Sequence, residues 1–300
     1  MSRARPFLIR RLRFTLRAGL AELIGTFLMV AIGLASGAQY SLLHPVGDHY
    51  LSVWVGWGLG VMVGVYVAGG ISGAHLNPSV TTSLALHGKF NWKHVPLYIL
   101  MQITGAFMAA AFVFTFYHPE ILRKDPLLQG TQPGTEIYTV GLFVVTRPRH
   151  RTNFQDAISE MLATTILIIL IFAIGNARNA VRPQYGLEAI AVGASVTGIG
   201  AALGSSGGYS LNPARDFGPR VFCALVYGHE SWTVDSGYAA IPILAPFAGA
   251  LLGSIIHQVF CVYDTEEELC KLSEDCDDDF LDHQQEGIGG WIDKYIFSRV

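Results

Sequence analysis

Six long apolar stretches, separated by short polar segments, run through the 300-residue chain. A helix needs about 20 residues to cross a hydrocarbon core of about 30 Å, and each stretch is close to that length. The pattern therefore predicts six transmembrane helices. The stretches are Ala18–Gln39, Tyr50–Gly70, His94–Tyr117, Asp156–Gly175, Gly186–Leu203 and Tyr238–Val262. A soluble helical protein with a large core is the alternative, and six separate charge-poor stretches argue against it.

Charged residues make up only 14% of the chain, whereas soluble domains carry roughly 25%. They concentrate at the ends, since 12 of the 23 acidic residues follow Cys261 and six of the 20 basic residues precede Ala18. This divides the chain into a basic tail (1–17), an apolar domain (18–263) and an acidic tail (264–300). The four cysteines have no metal or disulfide spacing, and no nucleophile–base pair is visible. The sequence therefore predicts no enzyme, no metal site and no cofactor.

The basic residues predict which side of a membrane each loop faces. Six spans place both termini on one side, and the arginines of the basic tail identify that side as the cytoplasm of a multi-pass cell-membrane protein. Lys89, Lys93, Arg178 and Arg182 fall on the same side and bring its basic residues to ten. The loop of residues 118–155 is predicted outside although it carries five basic residues. The larger inside count still favours this orientation.

Two similar motifs, "GAHLNPSVTT" and "GGYSLNPARD", indicate an internal duplication. Each motif follows the second span of a three-span set, and each set opens with a glutamate inside its first span. Glu22 precedes Asn77 by 55 residues, and Glu160 precedes Asn212 by 52. Because each set has an odd number of spans, the second set enters the membrane from the opposite face. The two inverted repeats span residues 18–117 and 156–263, joined by the outside loop.

The Asn-Pro pairs are turn signals in segments without charge, which is unusual inside a membrane protein. Asn77 is a good N-cap and Pro78 suits the first helical position. The helix from there to His87 would be about 16 Å long, roughly half the membrane. We expect it to be a re-entrant half-helix that begins at mid-depth, and Asn212-Pro213 to begin a second one from the other side. Non-helical backbone at that depth is tolerated only in protein or beside a wet cavity, which predicts a passage.

These motifs, with "AELIGTF" and "SEMLATT" ahead of them, resemble the aquaporin superfamily, and "ARDFGPR" resembles its glycerol-conducting branch, the aquaglyceroporins. The resemblance covers Ala18 to Val262 and implies an all-α bundle of six transmembrane helices and two half-helices. It also implies a constriction formed by Asn77, Pro78, Ser79, Asn212, Pro213 and Ala214. Ser79 departs from the family's usual alanine, and its small size predicts that the constriction survives.

The same resemblance implies a selectivity filter near the outer mouth. Its four members fall on Trp57, Gly200, Tyr209 and Arg215. Water-selective members typically have a histidine where Gly200 lies, so glycine is expected to leave room for a larger solute. The aromatic faces suit a carbon backbone, and the guanidinium of Arg215 can donate hydrogen bonds to hydroxyls. Further residues that resemble markers of the glycerol branch are Tyr117, Asp216, Arg220, Pro242 and Ile243.

The sequence as a whole predicts a passive channel for glycerol and water, which other small polyols or urea also pass and which excludes ions and protons. The positive ends of two facing half-helices would repel cations. A water-selective aquaporin is one alternative. An ion-coupled secondary transporter is another, since inverted repeats with broken helices also occur there, and only Glu22 and Glu160 are available for coupling.

The intramembrane glutamates therefore have two candidate roles. They either couple to protons or accept hydrogen bonds from the orphan N–H groups of the Asn-Pro segments, and the unpaired backbone of those segments favours the second role. His75 lines the passage, gates it with pH, or has a structural role. The family resemblance implies a homotetramer in a lipid bilayer. The acidic tail ends in a PDZ-type carboxylate pattern at Ser298 and Val300, and no nucleic-acid partner is predicted.

Overall fold

The structure is a computed structural model of the chain. It describes residues 4–43, 50–125, 139–147, 150–184, 186–204, 209–233 and 237–261, with the side chains of 4–15 and 230 excepted. These residues form helices and turns, with no strand among them. The helices are α1 Ala4–Leu43, α2 Leu51–Ser72, α3 Pro78–Leu86, α4 Val95–Phe116, α5 His118–Lys124, α6 Asn153–Ile174, α7 Leu187–Leu203, α8 Pro213–Tyr227, α9 Glu230–Thr233 and α10 Ile241–Phe260.

Each of the six predicted apolar stretches forms a helix, which confirms the all-α architecture. Within the described residues, five helical segments are long and apolar enough to cross a membrane. They are Leu16–Leu43, Leu51–Ser72, Trp92–Phe116, Asn153–Ile174 and Tyr238–Phe260. The remaining stretch, α7, is apolar but has only 17 residues, which is the short end of the range for a spanning helix.

The starts of α1 and α6 differ from the expected positions. The backbone of α1 is already helical at Ala4, so the helix includes most of the predicted basic tail. Arginine and leucine are good helix formers, and the only proline there lies in the first turn, so nothing interrupts the helix. At the other repeat, α6 begins at Asn153 because Thr152 and Gln155 form a capping box. The acidic tail, with Ser298 and Val300, lies outside the described residues.

The helices pack in the pattern of a duplicated unit. In the first repeat α1 packs on both α2 and α4, and in the second repeat α6 packs on both α7 and α10. Each half-helix packs on helices of both repeats, since α3 and α8 each contact both α4 and α10. The middle helices α2 and α7 contact each other between the repeats. The two repeats are therefore held together by contacts of both half-helices and of both middle helices.

Glycines permit the closest of these contacts, and two of them occupy matching places. A Cβ on Gly105 of α4 would lie 2.3 Å from the carbonyl oxygen of Leu23 in α1. A Cβ on Gly249 of α10 would lie 2.2 Å from the carbonyl oxygen of Met161 in α6. Leu23 and Met161 directly follow the two intramembrane glutamates. Small residues at helix crossings allow backbones to approach this closely. These contacts therefore hold α1 against α4 and α6 against α10, the helices that carry and face the two glutamates.

Candidate conducting site

The two half-helices begin at the two Asn-Pro pairs, as the sequence predicts. Asn77 caps α3 in an extended conformation, and its side-chain oxygen accepts a hydrogen bond from Ser79 N at 2.9 Å. Asn212 caps α8 in the same way and accepts from Ala214 N at 3.0 Å and Arg215 N at 3.2 Å. A proline follows each cap because the first helical position needs no N–H donor.

The two caps also bind each other's segment across the molecule. The Nδ2 of Asn77 donates to the carbonyl of Leu211 at 2.8 Å, and the Nδ2 of Asn212 donates to the carbonyl of Leu76 at 2.8 Å. Residues 77 and 212 therefore meet, with the N-termini of both half-helices directed at the same region. A side-chain amide has two N–H donors, so each asparagine keeps one donor beyond this reciprocal contact.

The backbone just before each cap has an unusual conformation. Within the described residues, the only non-glycine residues with positive φ are Ala74 at 48°, Leu76 at 52° and Leu211 at 57°. The left-handed region costs an L-residue roughly 1–2 kcal/mol, so neighbouring contacts must hold these turns in place. Leu76 and Leu211 are the same two residues whose carbonyls accept from the opposite asparagines.

Glu22 holds the first of these turns. One carboxylate oxygen accepts from His75 N at 2.9 Å and Ser72 Oγ at 2.6 Å, and the other accepts from Leu76 N at 2.7 Å and Gln102 Nε2 at 2.8 Å. The side chain is fully buried. This geometry matches the acceptor role that the orphan N–H groups favour.

Glu160 holds the second turn with fewer donors. It accepts from Ser210 N at 3.0 Å and, on its other oxygen, from Leu211 N. It is also fully buried. Neither glutamate is among the residues that line the cavity beside the two half-helices.

An elongated cavity of about 230 Å³ runs past both half-helix N-termini. Its wall contains residues from both repeats and is mostly apolar. The polar groups include Asn77, Asn212 and Arg215, with the single carboxylate Glu188 at the start of α7. The apolar part is formed by Met29, Trp57, Val61, Val65, Val80, Leu84, Leu167, Ile171, Ile174, Val192, Val196 and Tyr209, among others.

Three of the four predicted filter residues line this cavity: Trp57, Tyr209 and Arg215. The guanidinium carbon of Arg215 lies 4.3 Å from the ring centroid of Trp57, a cation–π distance. Its Nη1 donates to the carbonyl of Phe143 at 3.2 Å. This hydrogen bond fixes the orientation of the guanidinium.

Gly200 is placed differently from what the sequence suggests, since it lies behind the wall. A Cβ there would meet the hydroxyl oxygen of Tyr209 at 2.6 Å and the Trp54 ring at 3.1 Å. That hydroxyl donates to the carbonyl of Val196 at 2.5 Å. The space that glycine leaves is occupied by the hydroxyl end of Tyr209, a residue that lines the cavity.

Aromatic rings extend from Tyr209 past the start of α2 to the end of α1. Trp54 lies 5.3 Å from Tyr209, Tyr50 lies 4.7 Å from Trp54, and Tyr40 lies 4.8 Å from Tyr50 between ring centroids. Burial raises the pKa of the Tyr50 hydroxyl above its usual value, although the nearby charge of Arg215 acts in the opposite direction. The phenol therefore stays neutral at physiological pH.

The third position of each Asn-Pro motif faces away from the cavity. Ser79 and Ala214 are both fully buried, and neither lines the cavity wall. The hydroxyl of Ser79 has no hydrogen-bond partner within the described residues. The departure from alanine at this position therefore changes a packing contact and leaves the cavity surface unchanged. Pro78 and Pro213 are buried in the first turns of α3 and α8.

Asp216 and Arg220 form a buried ion pair at the Arg215 end of the cavity. Arg220 Nε lies 2.7 Å from Asp216 Oδ2. Asp216 also accepts from Val145 N at 2.8 Å, and Arg220 donates to the carbonyls of Val145 at 3.0 Å and Ser231 at 2.6 Å. The pair thereby holds the segment 139–147, which also supplies the Phe143 carbonyl to Arg215.

The other predicted site residues lie at varied distances from the cavity. His75 lines it, and its Nδ1 lies 3.2 Å from Thr81 Oγ1 while its ring packs on Phe90 and Tyr98. It therefore lies in the cavity wall and also makes packing contacts, and gating by pH stays a prediction. Three markers of the glycerol branch lie outside the cavity wall, at the end of α4 or the start of α10. They are Tyr117, Pro242 and Ile243.

Sequence reasoning missed several residues of this site. Gln102 donates to Glu22 and, at 3.0 Å, to Thr81 Oγ1, so it connects α1, α3 and α4. Its signal is a lone amide in the apolar α4, because polar residues inside membrane helices are usually paired and functional. Glu188 and Trp54 had no such signal, since they lie in ordinary helix positions.

The comparisons with known proteins agree with this geometry. The sequence model of the family described as major intrinsic protein matches residues 9–257. Aquaporin-6 of Laccaria bicolor is 36% identical over 258 residues, covering 83% of this chain and 81% of that protein. Aquaglyceroporin-2 of Rhizophagus irregularis is 36% identical over 253 residues, covering 82% and 77%.

A solved structure is similar as well. The X-ray structure of the aquaglyceroporin from Plasmodium falciparum superposes with a TM-score of 0.73 at 26% sequence identity, covering 82% of this chain and 97% of that one. The family match spans well over half of the chain and includes both Asn-Pro motifs and both glutamates. The chain belongs to the major intrinsic protein family.

Proposed function

We propose that this chain is a passive channel that conducts glycerol and other small uncharged solutes together with water, and that excludes ions and protons. The observation that carries the proposal is the reciprocal contact of Asn77 and Asn212 in one cavity with Trp57, Tyr209 and Arg215. Two of the similar proteins named above are aquaglyceroporins. Members of this family are channels and not enzymes.

The filter suits a polyol because its two sides differ chemically. The ring faces of Trp57 and Tyr209 offer apolar contact to a carbon chain. Arg215 offers N–H donors to the hydroxyl oxygens on the other side, and its contact with Phe143 fixes their direction. A solute with hydroxyls along one edge and carbon along the other replaces its water contacts in such a site at little cost.

Ions are excluded by the charge of the same elements. Each half-helix N-terminus carries about half a positive charge, so the two facing ends approach one unit. A cation about 4 Å away would meet a repulsion of about 4 kcal/mol at an effective dielectric constant of about 20. This corresponds to roughly a thousandfold exclusion. The free amide donors of Asn77 and Asn212 orient passing water, which interrupts a proton wire.

Liposome swelling tests this function. Vesicles containing the purified protein should swell in gradients of glycerol and urea much faster than protein-free vesicles, and they should not swell in sucrose, which is too large. Fast water flux without glycerol flux would instead indicate a water-selective aquaporin. Uphill glycerol accumulation driven by a proton or Na⁺ gradient would indicate a coupled transporter, and either result would contradict the proposal.

The assembly and orientation belong to the same proposal. We expect a homotetramer in the cell membrane with both termini in the cytoplasm, supported by the arginine-rich N-terminus. Many large apolar side chains are exposed on the isolated chain, among them Leu100, Phe116 and Leu244 at 58–67%, and these suit contact with lipid or neighbouring subunits.

A PDZ-type partner at Ser298 and Val300 is part of this expectation, and loss of PDZ-domain binding on deletion of Val300 tests it.

A further inference from the structure

Trp54 lies outside the cavity wall but contacts the residue that forms it. Its ring meets the Tyr209 ring edge-to-face, with centroids 5.3 Å apart and planes at 81°. Trp54 lies three positions before Trp57 on α2, so it is one helical turn nearer the start of that helix. It is only 9% exposed. A large rigid ring thus supports the filter from behind.

Two glycines leave the space for this ring: Gly200 in α7 and Gly204 directly after its last residue. A Cβ on Gly204 would lie 2.5 Å from the Trp54 ring, and a Cβ on Gly200 would lie 3.1 Å from it. Real Cβ atoms essentially never approach another atom as closely as the 2.5 Å at Gly204, so an alanine there would force the indole to move. The position of Trp54 therefore depends on the absence of side chains on the facing helix.

Tyr209 is fixed at two points as a result. Its hydroxyl donates to the carbonyl of Val196 on α7, and its ring packs against Trp54 on α2. The location of the ring relative to Arg215 thus depends on these two side-chain contacts.

We propose that Trp54 is a positioning residue that sets the width of the filter through Tyr209, and so determines the largest polyol that passes. The inference depends on the proposed function. It also changes the explanation of Gly200, because the missing side chain admits Tyr209 and Trp54 instead of widening the cavity directly. A residue with only a structural role would change the amount of folded channel. Its substitution would therefore change the flux of every solute by the same factor and leave the flux ratios unchanged.

The experiment compares solute ratios in liposomes for Trp54→Ala, Trp54→Phe and Gly204→Ala. Trp54→Ala removes the support, the Tyr209 ring tilts back, and the flux of the four- and five-carbon polyols erythritol and xylitol relative to glycerol should rise about fivefold or more. Trp54→Phe keeps an aromatic edge and should restore the native ratio within about twofold.

Gly204→Ala should narrow the filter instead of widening it, because the new methyl group presses Trp54 towards Tyr209. Glycerol flux relative to water flux should fall severalfold. Trp92→Ala is the matched control, since Trp92 is 53% exposed and lies in a turn before α4. Removing that indole should leave every ratio unchanged.

The outcomes separate the two proposals. If the native chain does not conduct glycerol, the proposed function fails. If it does, but Trp54→Ala keeps the native polyol ratios, the inference about Trp54 is wrong. Should Trp54→Ala fail to assemble, Gly204→Ala decides alone: an unchanged glycerol-to-water ratio overturns the inference, and a lowered one supports it.

Discussion

The two Asn-Pro regions share one backbone design and differ in the side chains that follow it. Each has a left-handed leucine, a capping asparagine bound to the opposite segment and a buried glutamate that accepts from the turn. After the cap the copies diverge. The positions filled by Val80, Thr81 and Ala85 in the first copy hold Arg215, Asp216 and Arg220 in the second.

This difference shows how duplication and function are divided in the molecule. The matched parts build the centre of the cavity, where both half-helices must present the same positive end. The unmatched parts are charged and lie at one end only, where they position a guanidinium and hold the segment 139–147. Under the proposed function, the centre is symmetric because its task is electrostatic, and the proposed filter is asymmetric because it distinguishes solutes.

The largest expected effect concerns the glutamates that both copies share. Glu22→Leu removes the acceptor of four hydrogen bonds and Glu160→Leu that of two, and each buried group left unsatisfied costs about 1–3 kcal/mol. Both variants should lose stability, and Glu22→Leu should lose more. Thermal unfolding followed by size-exclusion chromatography measures this. Glu120→Leu in α5 is the control, and equal Tm values for all three variants would contradict the account.

The ion pair of the second copy should give the next largest effect. Asp216→Leu leaves Arg220 buried without its carboxylate, which typically costs about 3–5 kcal/mol. The double change Asp216→Leu with Arg220→Met removes both charges and should recover part of that loss. Unfolding in detergent compares the two proteins. A double variant less stable than the single one would show that the pair is not the source of the effect.

Arg215→Val makes the filter position of the second copy like that of the first. We expect fold and glycerol flux to persist, because the arginine adds selectivity to an apolar wall. Removal of a full charge near the cavity should raise cation leakage by about tenfold, equivalent to about 1.4 kcal/mol. Arg215→Lys keeps the charge and should restrict leakage. Equal cation leakage in the valine, lysine and native channels would show that the charge of Arg215 does not contribute to the exclusion of cations.

The smallest effect is expected at the third position of the motifs. Ser79→Ala removes a buried hydroxyl without a partner in the described structure and should raise the free energy of unfolding by up to about 1 kcal/mol. Ala214→Ser should lower it by a similar amount. Solute flux should change in neither, because both side chains face away from the cavity. A change of glycerol flux in Ser79→Ala would place its hydroxyl at the cavity surface.

The sequence predicts the central geometry well because local rules govern it. Asparagine favours the N-cap and proline favours the first helical position, as at Asn77 and Pro78. Counting the spans between the two motifs is then enough to predict that the two half-helices enter from opposite sides. The repeated glutamate spacing similarly indicates which carboxylates serve the turns. These inferences require no knowledge of side-chain packing.

The remaining features depend on contacts between distant parts of the chain. Gln102 reaches Glu22 across 80 residues, and Phe143 reaches Arg215 across 72. No local pattern encodes such pairs. The place of Gly200 could not be predicted for the same reason, since the space beside a glycine is filled by whichever ring folds against it. In this chain those rings are Tyr209 and Trp54.

The most direct test of the central claim measures solute flux and electrical current in the same preparation. Proteoliposomes that conduct glycerol should show proton and K⁺ permeabilities equal to those of protein-free vesicles, because the facing half-helices repel cations and the asparagines interrupt the water chain. Proton or K⁺ current comparable in magnitude to the glycerol flux would contradict this account of the two Asn-Pro regions.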